Sequence, residues 1–314
     1  MGRRNMSIKI NSFGGPLVWL IRKYHSDFSS KIMLTVTEFA RRKQISGYID
    51  WFYSQPTTPD FKFLMLETIN RCNGKCSFCP ASVDAEKRAF KRMEDAMIHK
   101  IFSELSETGW SGDVFLNVNN EPFIDTRILR IARQFHELEL GGVRIITNGT
   151  LLAVEKLQEI AEVADELIIN DYSEQYRLTE NIKQIYEYVK RNKQLFKNIN
   201  IVINRRYSKE VLATRAGNAP NKPRKNNKIS GPCIYPFTDL VIFPDGKVGM
   251  CCNDCMEITD MGNVNEESLM AIWRGKKLTE VREAVRKSRL NYSFCRECDV
   301  MDAGSREKKI ASKH

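Results

Sequence analysis

The sequence predicts an α/β fold in which parallel strands are flanked by helices, followed by a small second domain organised by metal. Two observations predict this fold class. Strand-like and helix-like segments alternate five times between Phe61 and Asn204, and such alternation is typical of a parallel sheet, either open or closed into a barrel. The nine cysteines fall into two sets, with none between Cys79 and Cys233, so the second set marks a separate region of the chain.

The five repeats follow one another with short connections. Each strand-like segment is short and rich in apolar residues, and each helical segment repeats its apolar residues at helical spacing. Residues 205–231 are rich in Pro, Gly, Asn and Lys and show no obvious sixth strand. Strands are predicted at residues 61–70, 113–119, 143–148, 166–170 and 199–204, and helices at residues 94–109, 126–142, 155–164 and 181–196.

The segments before and after these repeats predict the remaining organisation. An early segment with helical spacing ends at the proline-containing SQPTTPD, which predicts a mostly helical extension. Later, FTDLVIFPDGKVGMCC predicts a β-hairpin that turns at Asp245-Gly246, and EESLMAIWRGKKLTEVREAVRKS predicts a helix. The predicted boundaries are 1–61 for the helical extension, 62–229 for the core, 230–303 for the second domain and 304–314 for a basic tail.

Composition and charge exclude several classes of protein. No apolar run approaches the length of about eighteen residues that a membrane helix needs, and the early PLVWLI is too short for the core of a signal peptide. We therefore expect a cytoplasmic protein without membrane contact. The net charge is +10, and residues 205–228 carry eight basic residues against Glu210 alone. This run is either a solvated loop or a surface that attracts an anionic substrate. Nucleic acid is disfavoured, because only Tyr207 there offers a stacking surface.

The first cysteine set, CNGKCSFC, places Cys72, Cys76 and Cys79 in one short loop after the first core strand. Thiols stay reduced in the cytosol, so grouped cysteines there are more often metal ligands than disulfides. Each thiolate can ligate one iron of a cubane cluster, and Gly74 permits a tight turn between them. Three ligands leave one iron open for a substrate or cofactor. The alternative is a zinc site with a fourth ligand from elsewhere, although zinc ligands usually come in paired CxxC units.

The spacing CxxxCxΦC, with an aromatic residue before the last cysteine, resembles the cluster motif of the radical S-adenosylmethionine (radical SAM) enzymes. The resemblance implies a partial (β/α)6 barrel, similar to a TIM barrel, and a 4Fe-4S cluster bound by three cysteines and by S-adenosylmethionine (SAM). NNEP after the second core strand is similar to the family's Gly-Gly-Glu-Pro motif, although Asn119 and Asn120 replace both glycines. By this resemblance the residues that contact SAM are Phe78, Asn120, Glu121, Pro122, Asn148 of TNGT, and Asn170 or Asp171 of IINDYSE. Glu121 and Asp171 could equally be ordinary polar residues at strand ends.

The second cysteine set resembles the SPASM or shorter twitch domain that follows the core in many radical SAM enzymes. The resemblance implies one auxiliary 4Fe-4S cluster. Zinc is again the alternative, since four thiolates also suit a tetrahedral site. Cys252 and Cys255 are left over: they are buried small side chains, or Cys252 replaces Cys251 as a ligand, or one of the two donates a hydrogen atom, as in some radical epimerases. The ligands that the resemblance implies are Cys233, Cys251, Cys295 and Cys298.

The resemblance also implies a reaction. Reductive cleavage of SAM gives a 5′-deoxyadenosyl radical that abstracts hydrogen from the substrate, and a protein such as flavodoxin or ferredoxin supplies the electron. We expect an oxidoreductase that acts on a small carbohydrate-type substrate, phosphorylated or nucleotide-activated, with the auxiliary cluster taking up an electron. One alternative is a radical SAM peptide maturase or epimerase. The other is a non-catalytic iron–sulfur or zinc protein that binds partners or senses redox state.

Overall fold

The computed structural model describes residues 8–12, 42–83, 87–222 and 229–300. Within these residues, nine strands form one sheet. The strands are β1 (Ile8–Ser12), β2 (Phe63–Leu66), β3 (Asp113–Phe115), β4 (Val143–Thr147), β5 (Glu166–Ser173), β6 (Asn200–Tyr207), β7 (Asp239–Ile242), β8 (Lys247–Gly249) and β9 (Gly262–Asn263).

Helices connect most of these strands and cover the sheet. Of the five helices between β2 and β6, the four longer ones follow the alternation that the sequence predicts, and each buries one apolar stripe. Short 3₁₀ segments occur at Pro122–Ile124, Val154–Lys156, Lys193–Phe196, Arg289–Asn291 and Ser293–Cys295. The helices are α1 (42–54), α2 (Pro80–Val83), α3 (Asp95–Glu107), α4 (Ile128–Glu137), α5 (Leu157–Val163), α6 (Glu180–Arg191), α7 (Tyr235–Thr238), α8 (Leu269–Arg274) and α9 (Lys276–Lys287).

The order of strands in the sheet is β1-β6-β5-β4-β3-β2-β7-β8-β9. Every neighbouring pair from β1 to β7 is parallel, and only the β7–β8 and β8–β9 pairs are antiparallel. The predicted α/β class with parallel strands is therefore confirmed. Because parallel strands run in one direction, their carboxyl ends meet along one side of the sheet. This side is called the carboxyl edge below, and the loops that leave it carry the first cysteine set.

The sheet continues across the predicted boundary between core and second domain. β7 comes from the second region, but it pairs in parallel with β2, with Phe63 opposite Asp239 and Leu66 opposite Ile242. All four residues of β7 are buried, as expected for a strand covered on both faces. The sequence shows no sixth strand in residues 205–231 because the next parallel strand lies beyond them. The hairpin turn itself is as predicted, with Gly246 at a φ of 84°.

Two other segments differ from the sequence predictions. The predicted helix at residues 266–288 is two helices, α8 and α9, because Gly275 between them has extended backbone. Within the extension predicted to be mostly helical, residues 42–54 are helical, whereas residues 8–12 form β1 at the side of β6. Residues 1–7 and 13–41 of that extension, the basic residues 223–228 and the tail lie outside the described residues.

A small apolar cluster fills the space enclosed by one face of the sheet. Side chains alternate along a strand, so Phe63 and Met65 of β2 point to the opposite face from Leu64 and Leu66. Phe63 and Met65 pack with Phe115, Val241 and Phe243, whereas Leu64 and Leu66 join the large core beneath the helices. Among the described residues, no helix combines the length and the apolar character needed to cross a bilayer.

We predict that replacing Phe243 by alanine destabilises the protein strongly. Phe243 is 0% exposed in the small cluster, and truncating a buried Phe typically costs about 3–5 kcal/mol of unfolding free energy. Phe90→Ala is the matched control, because Phe90 is 61% exposed and its loss should cost about 0.5 kcal/mol or less. Chemical denaturation of both variants measures the difference; equal midpoints would contradict the packing described here.

Candidate active site

The first cysteine set forms a tight loop at the carboxyl edge, just after β2. The Gly74 N–H donates to Cys72 Sγ at 3.3 Å, and the Cys79 N–H donates to the Cys76 carbonyl at 3.1 Å. A Cβ added at Gly74 would lie 3.3 Å from Cys72 Sγ and 3.8 Å from Cys76 Sγ. Both sulfurs therefore lie against Gly74, and any larger residue there would crowd them.

The electrostatics of this loop suit a cationic cluster. Burial raises the pKa of the Cys76 thiol to about 12, and the neighbouring charges of Cys79 and Cys72 act in the same direction. Burial also raises the pKa of Cys72. Deprotonating three adjacent thiols is therefore unfavourable unless a cation binds to them. The iron ions of a cluster supply that positive charge. In the described part of the chain, no three His, Cys, Asp or Glu side chains are arranged to hold a single metal ion.

Glu121 of the NNEP segment braces two neighbouring loops. Its carboxylate is buried and accepts hydrogen bonds from Thr147 Oγ1 at 2.7 Å, from the Asn148 N–H at 2.8 Å and from the Phe123 N–H at 3.2 Å. Burial raises its pKa despite these bonds. The buried Pro122 opens the short 3₁₀ helix that follows. Glu121 therefore fixes the ends of β3 and β4 relative to each other, and direct contact with a cofactor stays a prediction.

Asn148 joins the β4 loop to the first cysteine loop. Its Nδ2 donates to Asn73 Oδ1 at 2.9 Å and lies 3.9 Å from Cys72 Sγ, while its Oδ1 accepts from Thr150. Beside these groups is a cavity of about 520 Å³ whose walls also include Cys76 and Asp171. A cavity of this volume lies in the usual range for small-molecule and cofactor sites.

The end of β5 contributes one cavity residue and one residue bound to another strand. Asp171 is buried, and its carboxylate accepts from the N–H of Thr179 at 2.8 Å and from Thr179 Oγ1 at 3.0 Å. Asn170 faces the other side of β5, where Asn204 Nδ2 donates to it at 3.0 Å. Tyr172 packs against the buried Phe78, with ring centroids 5.4 Å apart. Asp171 therefore lines the cavity beside the cysteine loop, whereas Asn170 is bonded to β6, and the polar groups of both already have protein partners.

Asn119 and Asn120, which replace the glycines of the family's motif, make different hydrogen bonds. Asn120 Oδ1 accepts from the Val118 N–H at 3.0 Å. Asn119 is buried and accepts from the Cys255 thiol at 3.0 Å, so it links the carboxyl edge to the second cysteine region. Among the described residues, the Nδ2 groups of both asparagines have no hydrogen-bond partner.

The structure brings the predicted ligands of the second set together. Burial raises the pKa of Cys251 far above its usual range, and Cys298, Cys233 and Cys295 are among the charges that act in the same direction. The buried Arg289 lies near this group and donates to the carbonyls of residues 231, 232 and 300. A 4Fe-4S cluster with four cysteine thiolates as its protein ligands carries a net negative charge. The guanidinium of Arg289 beside the four thiols would offset that charge.

The unassigned cysteines lie between the two sets. Cys255 is fully buried, and burial raises the pKa of its thiol to about 12, with Cys79 and Cys252 among the neighbouring charges. Arg215 is close to both: its Nη1 lies 3.4 Å from Asn119 Oδ1 and 3.4 Å from the Cys252 carbonyl. Cys255, Cys252 and Arg215 thus occupy the region between the first and second cysteine sets.

Several of these residues could not be found from the sequence. Arg215 was one basic residue among eight in a loop, with no signal to separate it from the others. Thr147 and Arg289 depend on contacts between segments far apart in the chain. Asn119 had a signal, since it departs from the glycine of the motif, but its bond to Cys255 required the fold.

Comparisons with known proteins identify two family domains in the chain. A model described as the radical SAM superfamily matches residues 66–205, and one described as an iron–sulfur cluster-binding domain, SPASM, matches residues 233–299. The S-adenosyl-L-methionine-dependent 2-deoxy-scyllo-inosamine dehydrogenase of Niallia circulans is 23% identical over 251 residues, which are 79% of this chain and 96% of that protein.

Two solved structures show the same fold. BtrN in complex with AdoMet and 2-DOIA has 22% sequence identity and a TM-score of 0.66, covering 77% of this chain and 94% of that chain. The protein anSMEcpe with bound AdoMet has 12% identity and a TM-score of 0.51, covering 80% of this chain and 92% of that chain. At these identities the likeness concerns the fold alone.

The parallel sheet and the two cysteine sets define an iron–sulfur enzyme of the α/β class. The two family models together span about two thirds of the chain. The chain belongs to the radical SAM superfamily and carries a C-terminal SPASM domain. Its cofactors are a 4Fe-4S cluster, SAM and auxiliary iron–sulfur chemistry in the SPASM domain, and the predicted partial barrel fold is confirmed.

We predict that the triple variant Cys72→Ala, Cys76→Ala, Cys79→Ala retains about half of the iron and sulfide of anaerobically prepared protein, because one cluster of two is lost. Iron and zinc analysis measures this, and SAM cleavage should be absent. Cys255→Ala is the control and should keep the full iron content. Zinc instead of iron in the triple variant would contradict a second iron–sulfur site, and loss of iron in Cys252→Ala would identify Cys252 as a ligand.

Proposed function

We propose that the protein is a radical SAM dehydrogenase that oxidises a carbinol carbon of a small carbohydrate-type substrate to a ketone. When bound, SAM and its cluster supply a 5′-deoxyadenosyl radical that removes a hydrogen atom from the substrate, and an auxiliary cluster accepts the electron that remains. The second hydrogen leaves the hydroxyl group as a proton. An external one-electron donor such as flavodoxin or ferredoxin reduces the protein.

In this proposal the described residues have distinct roles. Cys72, Cys76 and Cys79 hold the SAM cluster, and Asn148 and Asp171 line the cavity that takes SAM. The further contacts proposed for SAM are with Phe78, Asn120, Glu121, Pro122 and Asn170. A single auxiliary 4Fe-4S cluster is held by Cys233, Cys251, Cys295 and Cys298.

The observation that carries the proposal is the position of Arg215. Its strongest electrostatic partners are the thiols of Cys255, Cys79 and Cys252 and the phenol of Tyr172. Its two hydrogen bonds, both 3.4 Å long, go to neutral oxygens. A guanidinium in this position can donate to hydroxyl or phosphate oxygens of a bound substrate. The substrate would then lie between the two cysteine sets.

The backbone at Arg215 supports a specific role. Arg215 and Ala216 have φ values of 51° and 53°, in the left-handed region that residues other than glycine seldom adopt. Such strain persists where surrounding structure imposes it, and it is concentrated at functional sites. The loop thus directs Arg215 towards the cysteines at a cost in backbone energy.

The rest of the basic run is largely neutralised within the protein. Arg206 pairs with Glu210 at 2.6 Å and Lys209 pairs with Glu174 at 3.2 Å. Lys222 pairs with Asp299. Residues 223–228 lie outside the described residues. Among the described cations of the run, Arg215 is the one that contacts Asn119 and Cys252, so it is the contact proposed for a phosphorylated or nucleotide-activated substrate. The relative named as a 2-deoxy-scyllo-inosamine dehydrogenase supports a carbohydrate-type substrate.

We predict that the reconstituted protein, given SAM, dithionite and a carbohydrate probe, forms 5′-deoxyadenosine and a ketone in equal amounts. 2-Deoxy-scyllo-inosamine is the first probe, followed by phosphorylated and nucleotide-linked sugars. Deuterium at the reacting carbinol carbon should appear in 5′-deoxyadenosine, as mass spectrometry measures. The cluster-free variant Cys72→Ala is the control. Deuterium transfer with no ketone from every probe would contradict dehydrogenation.

A second function, epimerisation, is favoured by the position of Cys255. Its buried thiol lies near Cys79 and donates to Asn119 at 3.0 Å. A protonated thiol beside the substrate can return a hydrogen atom to a carbon radical from the opposite face. The thiyl radical left on sulfur then takes one electron from the external donor and one proton from solvent, which regenerates the thiol. In that case turnover changes configuration at one carbon and forms no ketone.

The variants Cys252→Ala and Cys255→Ala separate the two functions. We predict that both keep ketone formation within about threefold of the unmodified protein, because a dehydrogenase needs no hydrogen donor. Turnover in D₂O followed by mass spectrometry of the recovered substrate is the measurement. Solvent deuterium at carbon, lost in one cysteine variant while SAM cleavage continues, would establish epimerisation instead.

A further inference from the structure

A buried ionic bridge joins three residues at the carboxyl edge. Glu67 follows β2 directly, and Arg88 Nη2 lies 3.0 Å from its Oε2 and 2.5 Å from Glu257 Oε1. The side chains of Glu67, Arg88 and Glu257 are 0%, 4% and 9% exposed. Lys91 extends the bridge towards solvent, with its Nζ 2.9 Å from Glu257 and 2.5 Å from Asp245.

The bridge connects the first cysteine loop with the NNEP segment that follows β3. The second carboxylate oxygen of Glu67 accepts from the Asn119 N–H at 3.2 Å, next to the NNEP segment. Arg71, which directly precedes the cysteine loop, donates through Nη2 to the carbonyl of Arg88 at 3.1 Å. Movement of the bridge would therefore move both loops of the proposed SAM site.

The same bridge reaches the SPASM domain. Glu257 lies two residues after Cys255, and Asp245 lies in the turn of the β7–β8 hairpin. Because the Cys255 thiol also donates to Asn119, the segment 251–257 is held to the carboxyl edge at two points. Cys251, at the start of this segment, is a proposed ligand of the auxiliary cluster.

The energetics of the Glu67–Arg88–Glu257 bridge indicate that it positions the segments it joins and adds little to the stability of the fold. Burial raises the pKa of Glu67 to about 7, although Arg88 acts in the opposite direction. Burial also opposes the charge of Glu257, but hydrogen bonds from Arg88 and Lys91 outweigh it and lower its pKa. Buried ion pairs give little net stability compared with apolar packing. Glu257 further adopts a left-handed φ of 55°, which is unfavourable for a glutamate.

We propose that the Glu67–Arg88–Glu257 bridge positions the SPASM segment 251–257 against the SAM site, so that the substrate radical forms close enough to the auxiliary cluster to transfer its electron. Arg88 is then a positioning residue that contacts neither substrate nor cofactor. The inference rests on the proposed dehydrogenation for its consequence in turnover. Its geometric part, the fixed separation of the two clusters, does not depend on the substrate.

The test uses a triple variant, Glu67→Gln, Arg88→Met, Glu257→Gln, which removes all three charges and leaves no buried charge unpaired. The matched control is Asp113→Asn, Arg144→Met, Glu166→Gln. Arg144 lies 2.8 Å from Asp113 and 2.6 Å from Glu166, a similar bridge at the opposite edge of the sheet, where β3 and β5 begin. A third variant, Arg88→Lys, keeps the charge without the forked geometry.

Two readouts follow the positions of the clusters and the fate of the electron. We predict that the magnetic coupling between the two reduced clusters, measured by EPR, changes in the bridge variant and not in the control. With a working carbohydrate probe, 5′-deoxyadenosine per ketone should rise about tenfold in the bridge variant, since small displacements at a reacting centre cost rates of this order or more. Arg88→Lys, which keeps the positive charge, should change the coupling less than the bridge variant does.

The outcomes separate this inference from the proposed function. Unchanged EPR coupling in a bridge variant that retains its full iron content would overturn the inference, as would equal changes in the control. Changed coupling in a protein that forms no ketone from any probe would support the bridge and reject the substrate class. Changed coupling with an unchanged product ratio would show that the bridge fixes geometry without affecting electron transfer, which would overturn the second half of the proposal.

Discussion

The constraint on which this structure depends is the common direction of its strands. Six neighbouring strand pairs from β1 to β7 are parallel, so chemistry placed after any strand arrives at the same carboxyl edge. The cysteine loop after β2, Glu121 after β3 and Asn148 after β4 meet there for this reason alone. Glu121 then fixes the loops after β3 and β4 relative to each other, because its carboxylate accepts hydrogen bonds from groups at the end of β4.

The pairing of β7 with β2 extends this constraint to the second cysteine set. β7 is followed by the hairpin that leads to Cys251, so the SPASM cysteines are anchored through a strand of the core sheet itself. A domain attached by a flexible linker would leave the separation of the clusters variable. A shared sheet limits that separation, and the contacts of Cys255 and Glu257 limit it further.

Much of the fold and part of the site could be predicted from the sequence, because both depend on local patterns. Apolar periodicity located the five core repeats, and thiol spacing located both cysteine sets. The contribution of β1 could not be predicted, since its pairing with β6 joins residues about 190 positions apart and short strands carry little local signal. Glu121 and Asp171 were recognised as strand-end residues, but two partners of Glu121, Thr147 and Asn148, come from the end of another strand, which no local pattern reveals.

The buried and partly buried arginines differ in how their charge is compensated. Arg144 and Arg88 each lie between two carboxylates, which repays much of the cost of burying a cation. Among the described residues, the guanidinium of Arg215 donates to neutral oxygens, and the thiols of Cys255, Cys79 and Cys252 are its main electrostatic partners. A guanidinium without a carboxylate partner can be stabilised by a bound ligand whose oxygens accept its hydrogen bonds. In the described part of the chain, Arg289 and Arg282 also donate to backbone carbonyls rather than to carboxylates, so the feature that makes Arg215 the proposed substrate contact is its position beside Asn119 and Cys252, between the two cysteine sets.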